Sequence, residues 1–181
     1  AERAGIEILT GARALHLHAQ GDRIAGVTLL RPDGSEDRIG CDRLVLACNG
    51  FGANRDLVAP HMPQIADALY FGHPGNQGEA ILWGAALGAE IRHAGAYQGH
   101  GNVAHPHGIL ITWAVMMEGG CQLDLTGRRF WNEAQGYSEA ARAVLARPGG
   151  QAVAVFDHRI AGIARQFADF RAAQAQGAVR A

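Results

Sequence analysis

The chain has 181 residues, 48% of them hydrophobic, which is enough for one sizeable core or two small ones joined by a hinge. It carries 16 basic residues, every one an arginine, against 17 acidic ones, for a formal net charge of −1. That balance supplies no field to gather a nucleic acid or an anionic membrane surface. Cys41, Cys48 and Cys121 form no CxxC pair and fit buried, reduced thiols. No stretch approaches the roughly 20 apolar residues of a membrane span, and no charged-then-apolar leader precedes Ala1, so a cytoplasmic protein is expected. The start without Met and the Ala/Gln/Gly-rich end both read as cuts.

The first part reads as β structure. Gly5–Thr10, Arg13–His18, Arg23–Leu30 and Arg38–Ala47 are apolar or alternating runs, separated by turn residues at Gln20-Gly21-Asp22 and Pro32-Asp33-Gly34. The last run ends in Leu44–Ala47, a continuous apolar stretch suited to a strand buried on both faces. Asn54 or Asp56 is placed to cap a short helix through Ala59, which Pro60 and Pro63 interrupt, and Gly75-Asn76-Gln77-Gly78 opens a helix over Glu79–Leu87. A Gly/Pro/His segment at 101–108 marks a domain boundary. Beyond it lie an apolar run at Ile109–Met117, a hairpin at Gln122–Phe130 around Thr126-Gly127, and a helix at Ser138–Ala146. A strand at Ala152–Phe156 follows, with a last helix capped by Asp157 and running to about Ala173.

Four segments carry candidate chemistry. Leu44–Asn54 is a buried strand delivering a Gly-rich turn, where Gly lets backbone approach a nucleotide at a sheet edge; read alone, it is more simply a plain turn. Gly75–Ala80 puts Glu79 in the first turn of a helix, able to accept from a ribose or ribityl hydroxyl or simply to start the helix. Gln98, His100, His105 and His107 form a polar cluster without a neighbouring acid or Cys, which fits a hydrogen-bonding substrate site or plain loop histidines, and no metal site is expected. In Arg128–Tyr137, the side chains of Arg129, Asn132, Glu133 and Tyr137 can converge with Tyr137 as a proton-transfer group, or Glu133 can pair with an arginine. No GxGxxG occurs in the chain, which disfavours a self-sufficient dinucleotide-binding domain.

Six motifs in order resemble the fumarate reductase/succinate dehydrogenase flavoprotein superfamily, including its 3-ketosteroid dehydrogenase-like and tricarballylate dehydrogenase-like members. They are GIEIL, LVLACNGFGANRDLV for the family's ATGGFGAN, GNQGEA for TGDG, Gln98-Gly99-His100 for Q-x-H, LITWAV for LxTEAV, and GRRFWNE for GKRFxNE. The resemblance implies an α+β fragment, with residues 1–104 part of an FAD-binding, Rossmann-like domain and 105–181 a truncated capping domain that covers the substrate. It also implies FAD as the cofactor of the full-length protein, a small-molecule substrate, and further N- and C-terminal parts of the same chain. Ala14, Asn49, Gly50 and Glu79 are then the cofactor-binding residues. His100 and Thr112 would bind the activating oxygen, Tyr137 would handle the proton, and Gln98, Trp113 and Met116 would line the substrate. Tyr137, Trp113 and Met116 stand where fumarate-reducing relatives carry an Arg–Glu–Arg proton relay, and Trp113, Met116, Met117 and Trp131 suggest an apolar wall unsuited to a dicarboxylate. The NE-xxx-Y spacing from Asn132-Glu133 to Tyr137 resembles the ketosteroid branch, whereas GFGANRD and the Gln98/His100 pair resemble the fumarate or tricarballylate branch. The alternative in another class is a non-catalytic interaction or regulatory module that retains the fold.

Overall fold

The computed structural model describes residues 2–180. They form an α+β arrangement that divides into two compact units, Ala1–Pro60 with Gly72–Ala94 and His61–Phe71 with Gly95–Ala181.

The first unit is built on an antiparallel meander of β1 (Arg13–Gln20), β2 (Arg23–Leu30) and β3 (Glu36–Gly40). Leu17 and Ile39 flank Val27 in register, which puts these three apolar residues on one face of the meander. The two turns lie where the sequence puts them. Asp33 closes the second by accepting from the Ser35 hydroxyl and N–H, at 2.7 and 2.9 Å, and these bonds hold its carboxyl below the usual carboxylate range. Asn54 caps α1 (Arg55–His61) by accepting from the N–H groups of Asp56 and Leu57. The helix runs one residue past Pro60 instead of stopping at Ala59, since a proline in the final turn forfeits one bond without blocking what precedes it. The next helix, α2 (Glu79–Ala86), starts from Gly78 at φ +88°, where a Cβ would lie 2.8 Å from the Cβ of buried Phe51.

Two expected strands do not form. Gly5–Thr10 and Leu44–Ala47 carry no strand, and Ile8 and Val45 are 59% and 87% exposed. A strand needs a hydrogen-bonded neighbour, and among the described residues none lies beside either run, so apolar sequence suited to burial on both faces stays uncovered.

The second unit contains β4 (Val103–Ala104) paired with β5 (Ile109–Leu110), then α3 (Ala114–Met117), β6 (Cys121–Leu123), α4 (Tyr137–Leu145), β7 (Val153–Val155), α5 (His158–Ala164) and α6 (Ala168–Ala175). Its core gathers Ile111, Val115, Met116, Ile160, Ala161, Ala164, Phe170 and Ala173. The expected hairpin at 122–130 closes through a single bridge, Leu123 to Arg129, around a turn held by Asp124, and β6 takes β7 as its strand partner. Asp157 caps α5 by accepting from the Ile160 N–H at 2.8 Å. The long terminal helix is broken at extended Phe167, and the break lets Ala164 on one side and Phe170 on the other both reach the core. Residues 95–104 pack with this unit, and the compact units part at 94/95. The cause is local: the Gly101 N–H donates to the Tyr137 carbonyl at 3.1 Å, and the Gly101 carbonyl accepts from Gln122 Nε2 at 2.8 Å. The three cysteines are free but not buried as expected, since Cys48 is exposed and Cys41 and Cys121 are half-buried. Among the described residues no helix is long and apolar enough to cross a membrane.

Candidate active site

Residues far apart in sequence meet in one aromatic cluster of the second unit. The His100 ring stacks on Tyr137 with centroids 5.2 Å apart and planes 23° from parallel, while Trp113 stands edge-on to His100 at 6.0 Å. Trp113 also lies 6.4 Å from Tyr137 and 6.1 Å from Trp131. Gln98 Nε2 donates to the Tyr137 hydroxyl oxygen at 2.5 Å, which leaves the phenol hydrogen free for another acceptor. Burial pushes the His100 imidazole below its ordinary value, so the ring is neutral at neutral pH. His100 Nδ1 accepts from the Asn102 N–H at 3.3 Å, which assigns the ring hydrogen to Nε2 and makes that nitrogen a donor.

The local structure explains this convergence. Gly99 and Gly101 flank His100 and press against α4, where a Cβ on either would fall within 2.5 Å of an alanine side chain, Ala141 or Ala140. Only a ribbon without side chains at those two positions brings His100 down onto the first residue of α4, which is Tyr137. Thr112 and Trp113 come from the segment leading into α3, and Thr112 Oγ1 accepts from the Ala114 N–H at 3.3 Å. Met116 lies in the hydrophobic core at 6% exposure, against which Trp113 packs, and Met117 is exposed.

Below the cluster lies a polar hub that motif reading did not single out. Gln122 is 1% exposed; its Oε1 accepts from the Trp131 indole N–H at 2.9 Å, and its backbone N–H donates to Glu133 Oε1 at 2.8 Å. Burial alone would raise the Glu133 carboxyl. The bonds from Arg129 and from Gln122 N–H outweigh it and leave the group below its ordinary value. Arg129 and Glu133 are thus a structural pair and Asn132 caps a short turn, leaving Tyr137 as the member of that segment that reaches the cluster. A lone glutamine inside the apolar strand Cys121–Leu123 was the one available signal for the hub.

In the first unit, Ala14, Val27, Leu29, residues 44–48 and Trp83 line an apolar trough of about 280 Å³. Ligand pockets run from roughly 300 to 1,000 Å³, so the trough suits one flat ring system of a larger cofactor. Glu79, one turn before Trp83 on α2, lies 4.0 Å from Arg13, the neighbour of Ala14. Asn49, at φ +66°, accepts from the Gly50 N–H at 2.8 Å in the turn that leaves the trough wall. An apolar bed with a carboxylate nearby fits a flavin adenine dinucleotide, whose rings need flat apolar contact and whose hydroxyls need acceptors. Among the described residues no group of three or more His, Cys, Asp or Glu is arranged to hold a metal ion.

Comparison with known proteins bears on both units. A family model described as an FAD binding domain matches residues 1–180. The chain is 26% identical over 158 residues to the NADH:fumarate oxidoreductase of Klebsiella pneumoniae (strain 342), covering 87% of this chain and 17% of that protein. It is 26% identical over 161 residues to the probable fumarate reductase Ifc3 of Shewanella frigidimarina (strain NCIMB 400), covering 88% and 27%. The open conformation of a flavocytochrome c3 fumarate reductase superposes with a TM-score of 0.72 at 24% identity, covering 88% of this chain and 29% of the other. The 3-ketosteroid-Δ4-(5α)-dehydrogenase of Rhodococcus jostii RHA1, in complex with 4-androstene-3,17-dione, gives 0.61 at 20%, covering 90% and 32%. The chain therefore spans less than a third of the length of each of these proteins. On the match across 1–180 and the order of its motifs, the chain belongs to the FAD binding domain family, within the fumarate reductase/succinate dehydrogenase flavoprotein superfamily, whose cofactor is FAD.

Proposed function

We propose that the chain is a segment of an FAD-dependent oxidoreductase that forms or reduces a C–C double bond next to a carbonyl or carboxylate. In this reading the first unit is part of the FAD-binding domain and the second is the domain that covers the substrate. The observation that carries it is the meeting of Gln98, His100, Trp113 and Tyr137 in one cluster, from segments that sequence alone leaves 39 positions apart at their extremes.

FAD, when bound, supplies the two-electron chemistry, and the chain's own residues orient the substrate and manage the proton. Ala14 and Glu79, with the Asn49-Gly50 turn, would hold the cofactor. His100, neutral and with its hydrogen on Nε2, would donate to the activating oxygen of the substrate together with the Thr112 hydroxyl. Charge developing on that oxygen makes such donors worth more in the transition state than in the ground state. Tyr137 Oη would give a proton to, or take one from, one carbon of the reacting C–C bond, the hydride being exchanged at the other, with Gln98 holding the phenol oxygen in place. Trp113 and Trp131 offer an apolar wall that keeps water out, and no member of the cluster is a cation able to clamp a dicarboxylate. The preferred substrate is accordingly a largely apolar carbonyl compound, and dehydrogenation is preferred over reduction of fumarate.

The test is turnover by the full-length enzyme with 4-androstene-3,17-dione and with fumarate as probes. Tyr137→Phe keeps the ring and removes the hydroxyl, and His100→Ala removes one donor worth ~3 kcal/mol. Each should slow the chemical step by about 10²-fold with FAD content unchanged. Wild-type rates in Tyr137→Phe would reduce Tyr137 to a packing residue. Efficient reduction of fumarate by the unmodified enzyme would overturn the substrate argument, and a full-length protein with no flavin turnover at all would favour a non-catalytic module.

A further inference from the structure

We propose that Gln122 is a positioning residue that fixes His100 against Tyr137; the proposal rests on the reading of that pair as the reacting groups. The ribbon carrying His100 has no side chain at 99 or 101 with which to anchor itself, so its place is set by backbone bonds. On one side, the Gly101 N–H is tied to the Tyr137 carbonyl at 3.1 Å. On the other, the Gly101 carbonyl is tied to the Gln122 side chain at 2.8 Å. The same amide accepts from the Trp131 indole at 2.9 Å, and Trp131 lies against Trp113, which stands edge-on to His100. One fully buried side chain therefore joins the His100 ribbon to the aromatic wall facing it.

The amide is itself held still. Its own backbone N–H donates to Glu133, and Glu133 is clamped by Arg129 through Nε and Nη2 at 3.0 and 2.6 Å. A planar amide with one acceptor and one donor in use fixes the separation of its two partners. An apolar residue of the same length would fill the space while leaving the carbonyl of half-buried Gly101 and the indole N–H of half-buried Trp131 without this partner. Those two groups would then move to find other partners, and His100, one residue from the freed carbonyl, would move with them. Among the described residues no hydrogen bond joins Gln122 to Thr112 or to the Tyr137 side chain, so the effect should fall first on the imidazole.

The experiment uses the full-length flavoprotein with ring-¹⁵N histidine and indole-¹⁵N tryptophan, the signals of His100 and Trp131 being assigned by their loss in His100→Ala and Trp131→Phe. Gln122→Met is compared with Val115→Ala, a control that destabilises the hydrophobic core of the same unit and takes no side-chain part in the hub's hydrogen bonds. The expected result is displacement of both the Trp131 indole and the His100 ring signals in Gln122→Met, with both at wild-type positions in Val115→Ala. If Gln122→Met does not fold, Gln122→Asn, one methylene too short to reach both partners, should give the same displacement. A His100 signal that stays at its wild-type position while Trp131 moves would overturn the proposal and leave Gln122 as a partner of Trp131 alone. Because these signals need no substrate, that failure is distinct from a failure of the proposed chemistry, which would appear as unaltered turnover in Tyr137→Phe.

Discussion

Glu133 remains charged although only 4% of its side chain is exposed, because Arg129 and the Gln122 N–H surround the carboxylate with donors. Its folded-state value lies below the ordinary 4.5, so the unfolded chain takes up this proton first on acidification. The stabilisation is therefore fully present above about pH 4.5 and is lost as the pH falls through the lower, folded value. Glu133→Gln should melt earlier than wild type at neutral pH, by an amount on the order of 2 kcal/mol for a charge-assisted bond replaced by a neutral one. The gap between the two melting temperatures should then close as the pH is lowered below that value. A gap independent of pH would show that the carboxylate's charge is not what holds the hub together. His100 titrates in the opposite chemical sense with the same consequence. Burial favours its neutral form, so acidification through its ordinary value of 6.5 also favours the unfolded chain.

At the scale of elements, the fit of the His100 ribbon onto α4 makes opposite predictions for two glycines. In Gly101→Ala the new Cβ would lie 2.4 Å from the Ala140 side chain and 2.6 Å from its carbonyl carbon, where nothing flexible can give way. Overpacking of this kind costs roughly 1–3 kcal/mol. Gly162, within α5 and with open space around its Cβ position, should instead gain about 1 kcal/mol on substitution by alanine. Thermal or denaturant unfolding of the two variants, one destabilised and one stabilised, checks the contact directly.

Elements with local causes were the legible ones. Turn residues at Gly21-Asp22 and Asp33-Gly34 defined the meander, and Asn54 and Asp157 marked two helix starts, because caps and turns are written in neighbouring residues. Leu44–Ala47 misled because a continuous apolar run says that a strand wants covering, not that a partner is within reach. In the candidate site, His100, Trp113, Tyr137 and Gln98 were named from motifs and the structure brings them together. Met116 was named with them and lies in the core against which Trp113 packs, because a motif position does not say how deeply a side chain is buried. Gln122 was overlooked because its partners, Gly101 and Trp131, are 21 and 9 positions away and have no sequence signature.

For the molecule as a whole, the trough accepts only part of a dinucleotide, and no GxGxxG is present to cradle a pyrophosphate. The 181-residue chain expressed on its own should accordingly purify colourless and inactive. Stoichiometric flavin absorbance, or uptake of FAD at micromolar concentration, would contradict this. The uncovered run at Leu44–Ala47 has a further consequence for how such a polypeptide survives its own synthesis. A short apolar stretch with no strand partner among the described residues is a template on which a second molecule can add a strand, and Gly5–Thr10 presents another. Both are interrupted or flanked by charge, Glu7 within the first and Asp42 and Arg43 immediately before the second. Such residues act as gatekeepers, opposing fibrillar stacking of identical segments while leaving the apolar side chains free to be covered in the native protein.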